Sequence, residues 1–137
     1  MGTWLMKSEP DVFSWEMLVS RKTAAWDDVR NYQARNNMKA MKKGDLCFFY
    51  HSNVGCEIVG IMKIVREHYP DPADPRFVLV DVAPVRRLKQ PVTLAVIKAH
   101  PKLQQIALIK QSRLSVMPIT TPEWNLLCEM GEKSCSE

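Results

Sequence analysis

The segment Leu46-Cys-Phe-Phe-Tyr-His51 constrains the fold more than any other, because it is apolar on both faces of a strand. Successive strand side chains point to opposite sides, so a run without polar alternation must be covered twice. Cys56–Tyr69 is a second such stretch, long and rich in β-branched residues, and Phe77–Val85 is a third that pairs with it. Gly60 predicts a bulge or a close backbone approach, and Asn53-Val54-Gly55 predicts a turn. With 137 residues the chain supports one core. Several two-sided strands in so short a chain predict a closed or nearly closed barrel.

Shorter elements surround these strands. Trp4–Ser8 alternates and stops at Pro10, which predicts a strand. Ser14 caps a helix over Trp15–Val19, and a loop leads to Trp26. Asn31–Met41 predicts a helix, with Lys42 and Lys43 at its negative end and Gly44 as its C′ residue. Pro70–Pro75 reads as a rigid loop. Thr93 caps a helix through Ala99, Lys102–Ile109 holds another helical turn, and Ser115–Ile119 is a last strand. Thr121 as N-cap and Pro122 at N1 open a final helix that runs to Met130 and stops at Gly131. The expected class is α+β, with one domain over 1–131 and a polar tail over 132–137.

Composition excludes several classes. No apolar run approaches the ~20 residues of a membrane span, and the N-terminus lacks the pattern of a signal peptide. Cys47, Cys56, Cys128 and Cys135 show no metal-ligand spacing and read as reduced thiols, so neither a metal nor a cofactor is expected. The expected compartment is the cytoplasm, or the nucleus in a eukaryote. Net charge is only +4, but twelve of the nineteen Lys and Arg residues lie in two acid-free segments, Val29–Gly44 and Val82–Pro122. Brought together, these segments make a face suited to phosphate.

The run from Trp26 to Asn37 joins two aromatics, two arginines, three asparagines and a glutamine to two carboxylates. Flat rings beside amides and guanidiniums suit the stacking of a planar base and the reading of its edge. Trp26 is the candidate stacking wall, whereas Trp15 and Trp124 read as core. Asn31 can read a Watson–Crick edge or cap its helix, and the two roles can coexist. Arg30 and Arg35 are candidates for phosphate or a base edge, with simple solvation as the alternative. Tyr50, His51 and Ser52 end the second strand and offer a wall and donors.

Taken together, Trp4-Leu-Met-Lys-Ser-Glu-Pro10, Trp26 to Asn37, Gly44 to Asn53, Tyr69-Pro-Asp-Pro72 and Ser112-Arg-Leu-Ser-Val116 resemble the EVE domain family, in order and over nearly the whole chain. The resemblance implies a PUA-like mixed β pseudo-barrel with short flanking helices, and a pocket for a single modified base. It implies a non-enzymatic reader of modified cytosine, such as 5-methylcytosine, in DNA. The implied base pocket comprises Lys7, Ser8, Glu9, Trp26, Asp27, Arg30, Asn31, Tyr32, Tyr50, His51 and Ser52. Arg35, Lys39, Arg113 and Ser115 would meet phosphate. Asp28 stands where the family pattern usually has Gly, which changes the charge beside the pocket. The chain carries no nuclease or helicase module, so any effector is a separate protein, and a monomer is expected.

Three other readings compete. An RNA-binding module uses the same fold. A small hydrolase built from Glu9, His51 and Lys7 lacks G-x-S-x-G, metal-ligand spacing and a Gly-rich phosphate loop. A pure interaction protein would carry a vestigial pocket.

Overall fold

The computed structural model describes residues 2–27, 29–52 and 55–132. Asp28, most of the expected 53–55 turn, and residues 133–137 of the expected tail therefore lie outside the described residues. Six strands form one mixed sheet: β1 (Thr3–Ser8), β2 (Ala24–Trp26), β3 (Leu46–His51), β4 (Glu57–Asp71), β5 (Asp74–Thr93) and β6 (Val116–Pro118). Their order is β2-β5-β4-β3-β1-β6. β1 runs parallel to β3, and the other neighbours are antiparallel.

The helices are α1 (Trp15–Arg21), α2 (Tyr32–Ala40), α3 (Leu94–Ala99), α4 (Ala107–Lys110) and α5 (Thr121–Glu132), with a 3-10 turn at Pro101–Leu103. The α+β expectation holds, but the sheet is not closed, because β2 and β6 are its edges among the described residues. It is strongly curled all the same. A flat sheet would set β2 and β3 three strand spacings apart, about 14 Å. The Trp26 and Phe49 ring centroids are 5.3 Å apart.

Two-sided burial of β3 is as expected, with Cys47, Phe48, Phe49 and Tyr50 all buried. Phe49 meets Trp15, Trp26 and Phe13 on one side. Phe48 stacks on Trp124 of α5. Gly60 is a close approach: a Cβ there would lie 2.6 Å from the Trp15 ring, and the β4–β5 register shifts beside it. Asp45 is buried and accepts hydrogen bonds from Gly2 N, Trp4 Nε1 and Lys42 N, all at 3.0 Å, which pins β1 to the turn before β3. Burial pushes its carboxyl pKa up, but the donors outweigh burial and leave it below the ordinary value.

Several boundaries are corrected. Pro70–Pro75 is not a loop, because β4 runs to Asp71 and β5 starts at Asp74. β3 pairs with β4 only up to Lys63, so Pro70 lies where β4 owes no donor to β3. The strand expected over Phe77–Val85 continues to Thr93. Trp26 ends a strand rather than a loop. Gly44 is not a helix C′ residue; α2 ends at Ala40, and Gly44, at φ +95°, turns the chain into β3. α5 is capped one residue earlier than expected, by reciprocal Thr120–Glu123 hydrogen bonds. It also runs through Gly131, whose bare Cα lets Leu88 approach.

Candidate nucleic-acid interface

The C-terminal end of β1 opens into a cavity of about 420 Å³. One wall is Lys7, Ser8 and Glu9, with Ser52 beside them, because Ser52 N donates to Ser8 O at 2.9 Å. The opposite wall is the end of β2 and its continuation, Ala25, Trp26, Asp27 and Val29. Val12 and Phe13 close a third side, and Ser112, Arg113 and Ser115 form the rim that leads into β6. Lys7 N donates to Ser115 O at 2.8 Å, so rim and β1 are joined through the backbone.

The Lys7 ammonium donates to Ser112 O at 2.8 Å and lies over the Tyr50 ring, 5.8 Å from its centroid. Burial lowers its pKa, and the nearby Cys56 opposes that shift. Ser8 Oγ donates to Phe13 O at 2.6 Å, which leaves its lone pairs free to accept. Trp26 is only 5% exposed and meets both Phe13 and Phe49 edge-on. It is a rigid wall set in the core, and only a narrow strip of it reaches the cavity. Glu9 and Asp27 bring carboxylates, and Lys7 and Arg113 bring cations, so the lining carries both signs.

Of the expected base-pocket residues, Lys7, Ser8, Glu9, Trp26, Asp27 and Ser52 converge here, joined by Arg113 and Ser115. The others do not line it. Tyr50 is buried beneath Lys7, and burial together with Cys56 pushes its phenol up to about 12. His51 turns away: its Nε2 accepts from Trp15 N at 3.1 Å, at the start of α1. Arg30 pairs with Asp71 at 3.2 Å and lies over Phe77. Tyr32 stacks on Phe77 at 5.3 Å, with Arg35 over the Tyr32 ring. Arg35 also donates to Asn36 and to Arg76 O. Asn31 caps α2 through Ala34 N at 2.9 Å and lines an adjoining recess instead. Lys39 lies eight residues further along α2, about 12 Å by helical rise.

The cavity also uses residues that the sequence reading did not single out: Val12, Phe13, Ala25, Val29 and Ser112. Ser112 stood in a quoted motif, but its contribution is a backbone carbonyl, which no side-chain pattern reveals. Among the described residues no group of His, Cys, Asp or Glu could hold a metal ion. No described helix is long and apolar enough to cross a membrane.

The EVE domain family model matches residues 2–130. The chain belongs to the EVE domain family. Human thymocyte nuclear protein 1 is 37% identical over 97% of this chain and 75% of its own length. A solved Rhodopseudomonas palustris protein is 52% identical, with a TM-score of 0.91 over 96% of this EVE domain and 93% of that chain. Human THYN1, solved in complex with 5-methylcytosine-containing DNA, is 36% identical, with a TM-score of 0.91 over 98% of this chain and 99% of that one.

Proposed function

We propose that this EVE domain binds DNA and reads a modified cytosine, 5-methylcytosine being the leading candidate, without altering it chemically. The observation that carries the reading is the cavity at the end of β1. It joins a rigid indole wall to two carboxylates, four serines and two cations in about 420 Å³, within the ~300–1,000 Å³ range of small-ligand sites. The relative solved with 5-methylcytosine DNA supports it.

Each group has a task in this reading. A base leaves its stack at a cost of a few kcal/mol, and contact with the Trp26 strip and edge hydrogen bonds offset that cost. The exocyclic amine of cytosine is a donor, and Asp27 or Glu9 accepts from it. Val12, Ala25 and Val29 offer an apolar side for a methyl group. Lys7 and Arg113 hold phosphate. The hydrolase alternative is disfavoured because His51 is engaged with Trp15 N and does not line the cavity with Glu9 and Lys7. Any action on the DNA then belongs to a separate effector.

The test is binding of short single-site oligonucleotides, modified and unmodified, as DNA and as RNA, at one salt concentration. The modified deoxyoligonucleotide should bind most tightly and be recovered intact. Equal affinity for modified and unmodified DNA overturns the reading, and tighter binding of the RNA counterpart reassigns the site to RNA.

A further inference from the structure

The cavity does not end at its rim. Ser112 and Arg113 also line a second recess of about 370 Å³, walled by Gln33 at the start of α2 and by Lys110 and Gln111 at the end of α4. Leu114 forms its apolar part, and Asn31 stands at its edge. The two spaces therefore share a wall, and Arg113 stands on it.

Four polar side chains of this recess are uncommitted. Among the described residues Gln33, Lys110, Gln111 and Arg113 make no side-chain hydrogen bond, ion pair or ring contact. The other described arginines are engaged: Arg30 with Asp71, Arg76 with Asp74, Arg86 with Glu132, Arg87 with Glu16, Arg21 with Phe13, Arg35 with Tyr32 and Arg66 with Tyr69. Asn31 spends its carbonyl oxygen on capping α2, which leaves its amide donors available. Two free amides, one lysine and one arginine converge on a polar trough with one apolar side chain. That set suits a phosphodiester at the cations and the edge of a base at the amides.

Covalent continuity gives the trough its occupant. A base taken into the first cavity stays attached to its neighbours, so the strand must leave that cavity along some surface. The recess behind Arg113 is a path that already carries phosphate and base-edge chemistry. We propose that it seats the deoxynucleotide adjoining the base in the cavity. Arg113 and Lys110 hold the connecting phosphate, and Gln33 and Gln111 read the neighbouring base. The inference rests on the reading of the first cavity as a base pocket. It adds that recognition extends over two nucleotides and depends on sequence context.

The experiment measures binding of 5-methyl-2′-deoxycytidine, which carries no phosphate, and of deoxydinucleotides that carry the modified base and extend it on the 5′ or the 3′ side. Extension on one side should raise affinity about tenfold, the value of one charge-assisted hydrogen bond. Lys110→Ala should remove that increment and leave nucleoside binding unchanged. Gln33→Ala with Gln111→Ala should make affinity indifferent to the identity of the second base. These side chains are exposed, so melting temperature should not move. No increment on either side, or an increment that survives both variants, overturns the inference alone if modified and unmodified dinucleotides are still told apart. Loss of that discrimination in the parent protein overturns the base-pocket reading and this inference with it.

Discussion

The imidazole Nε2 of His51 accepts the backbone N–H of Trp15 at 3.1 Å, so β3 caps the first turn of α1. Burial lowers the His51 pKa, against the raising influence of Glu16 and Glu57 and with Arg87 acting in the same direction as burial. Protonation removes the acceptor. With the folded pKa depressed, the contribution is complete above the unfolded value of about 6.5 and is lost as pH falls toward the folded pKa. Thermal melts between about pH 8 and 5 should show a falling Tm. His51→Gln, which retains an acceptor that does not titrate, should flatten that profile. An unchanged pH slope in His51→Gln would refute the cap.

Gly60 should tolerate no side chain. A Cβ would lie 2.6 Å from the Trp15 ring, and that ring cannot retreat because Phe49 packs against it at 5.7 Å. Gly60→Ala should cost about 1–3 kcal/mol, as overpacking does. Urea denaturation measures this, and a stability within 0.5 kcal/mol of the parent, about the scatter of surface substitutions, would show that the ring has room.

Trp26 is both wall and core, so the usual truncation is a poor probe of binding. Trp26→Ala should destabilise the domain by about 3–5 kcal/mol, because the ring is packed in the core as well as lining the cavity. Trp26→Phe keeps the edge-on packing with Phe13 and Phe49. Titration of folded Trp26→Phe with modified oligonucleotide should show several-fold weaker binding, below the ~1–3 kcal/mol of a full stacking loss. Parent-like affinity in that variant would confine Trp26 to the core.

Salt dependence should separate the cations. Arg113 stands on the rim, whereas Arg35 is held at Tyr32 and the Arg76 carbonyl. Arg113→Ala should reduce the slope of log affinity against log salt by about 1. Arg35→Ala and Lys39→Ala should leave it unchanged. A reduced slope in the latter two would extend the phosphate face along α2.

The two-sided apolar character of β3, the close approach at Gly60, and the Ser14, Asn31 and Thr93 caps were all legible, because each rests on local side-chain chemistry. β2 was not, since three residues carry no period and its pairing partner lies more than fifty residues away. At the site, Lys7, Ser8, Glu9 and Trp26 were legible as a group. Tyr50 and His51 were misplaced because the register shift between Phe49 and Tyr50 alters which way the strand end faces. Arg30 and Tyr32 were misplaced because their partners, Asp71 and Phe77, sit on a hairpin that the prolines disguised as a loop.

β1 lies between β3 and β6, and its end is joined to the rim by Lys7 N to Ser115 O. β1 therefore waits for a strand more than a hundred residues later in the sequence before its cavity-facing end is complete. The β4–β5 hairpin can form early from neighbouring sequence, but a nascent or truncated chain that lacks residues 112–118 has no rim at all. Completion of the cavity is thus a late event in the synthesis of this domain. A chain with a complete cavity has already brought Lys7 and Ser115 together.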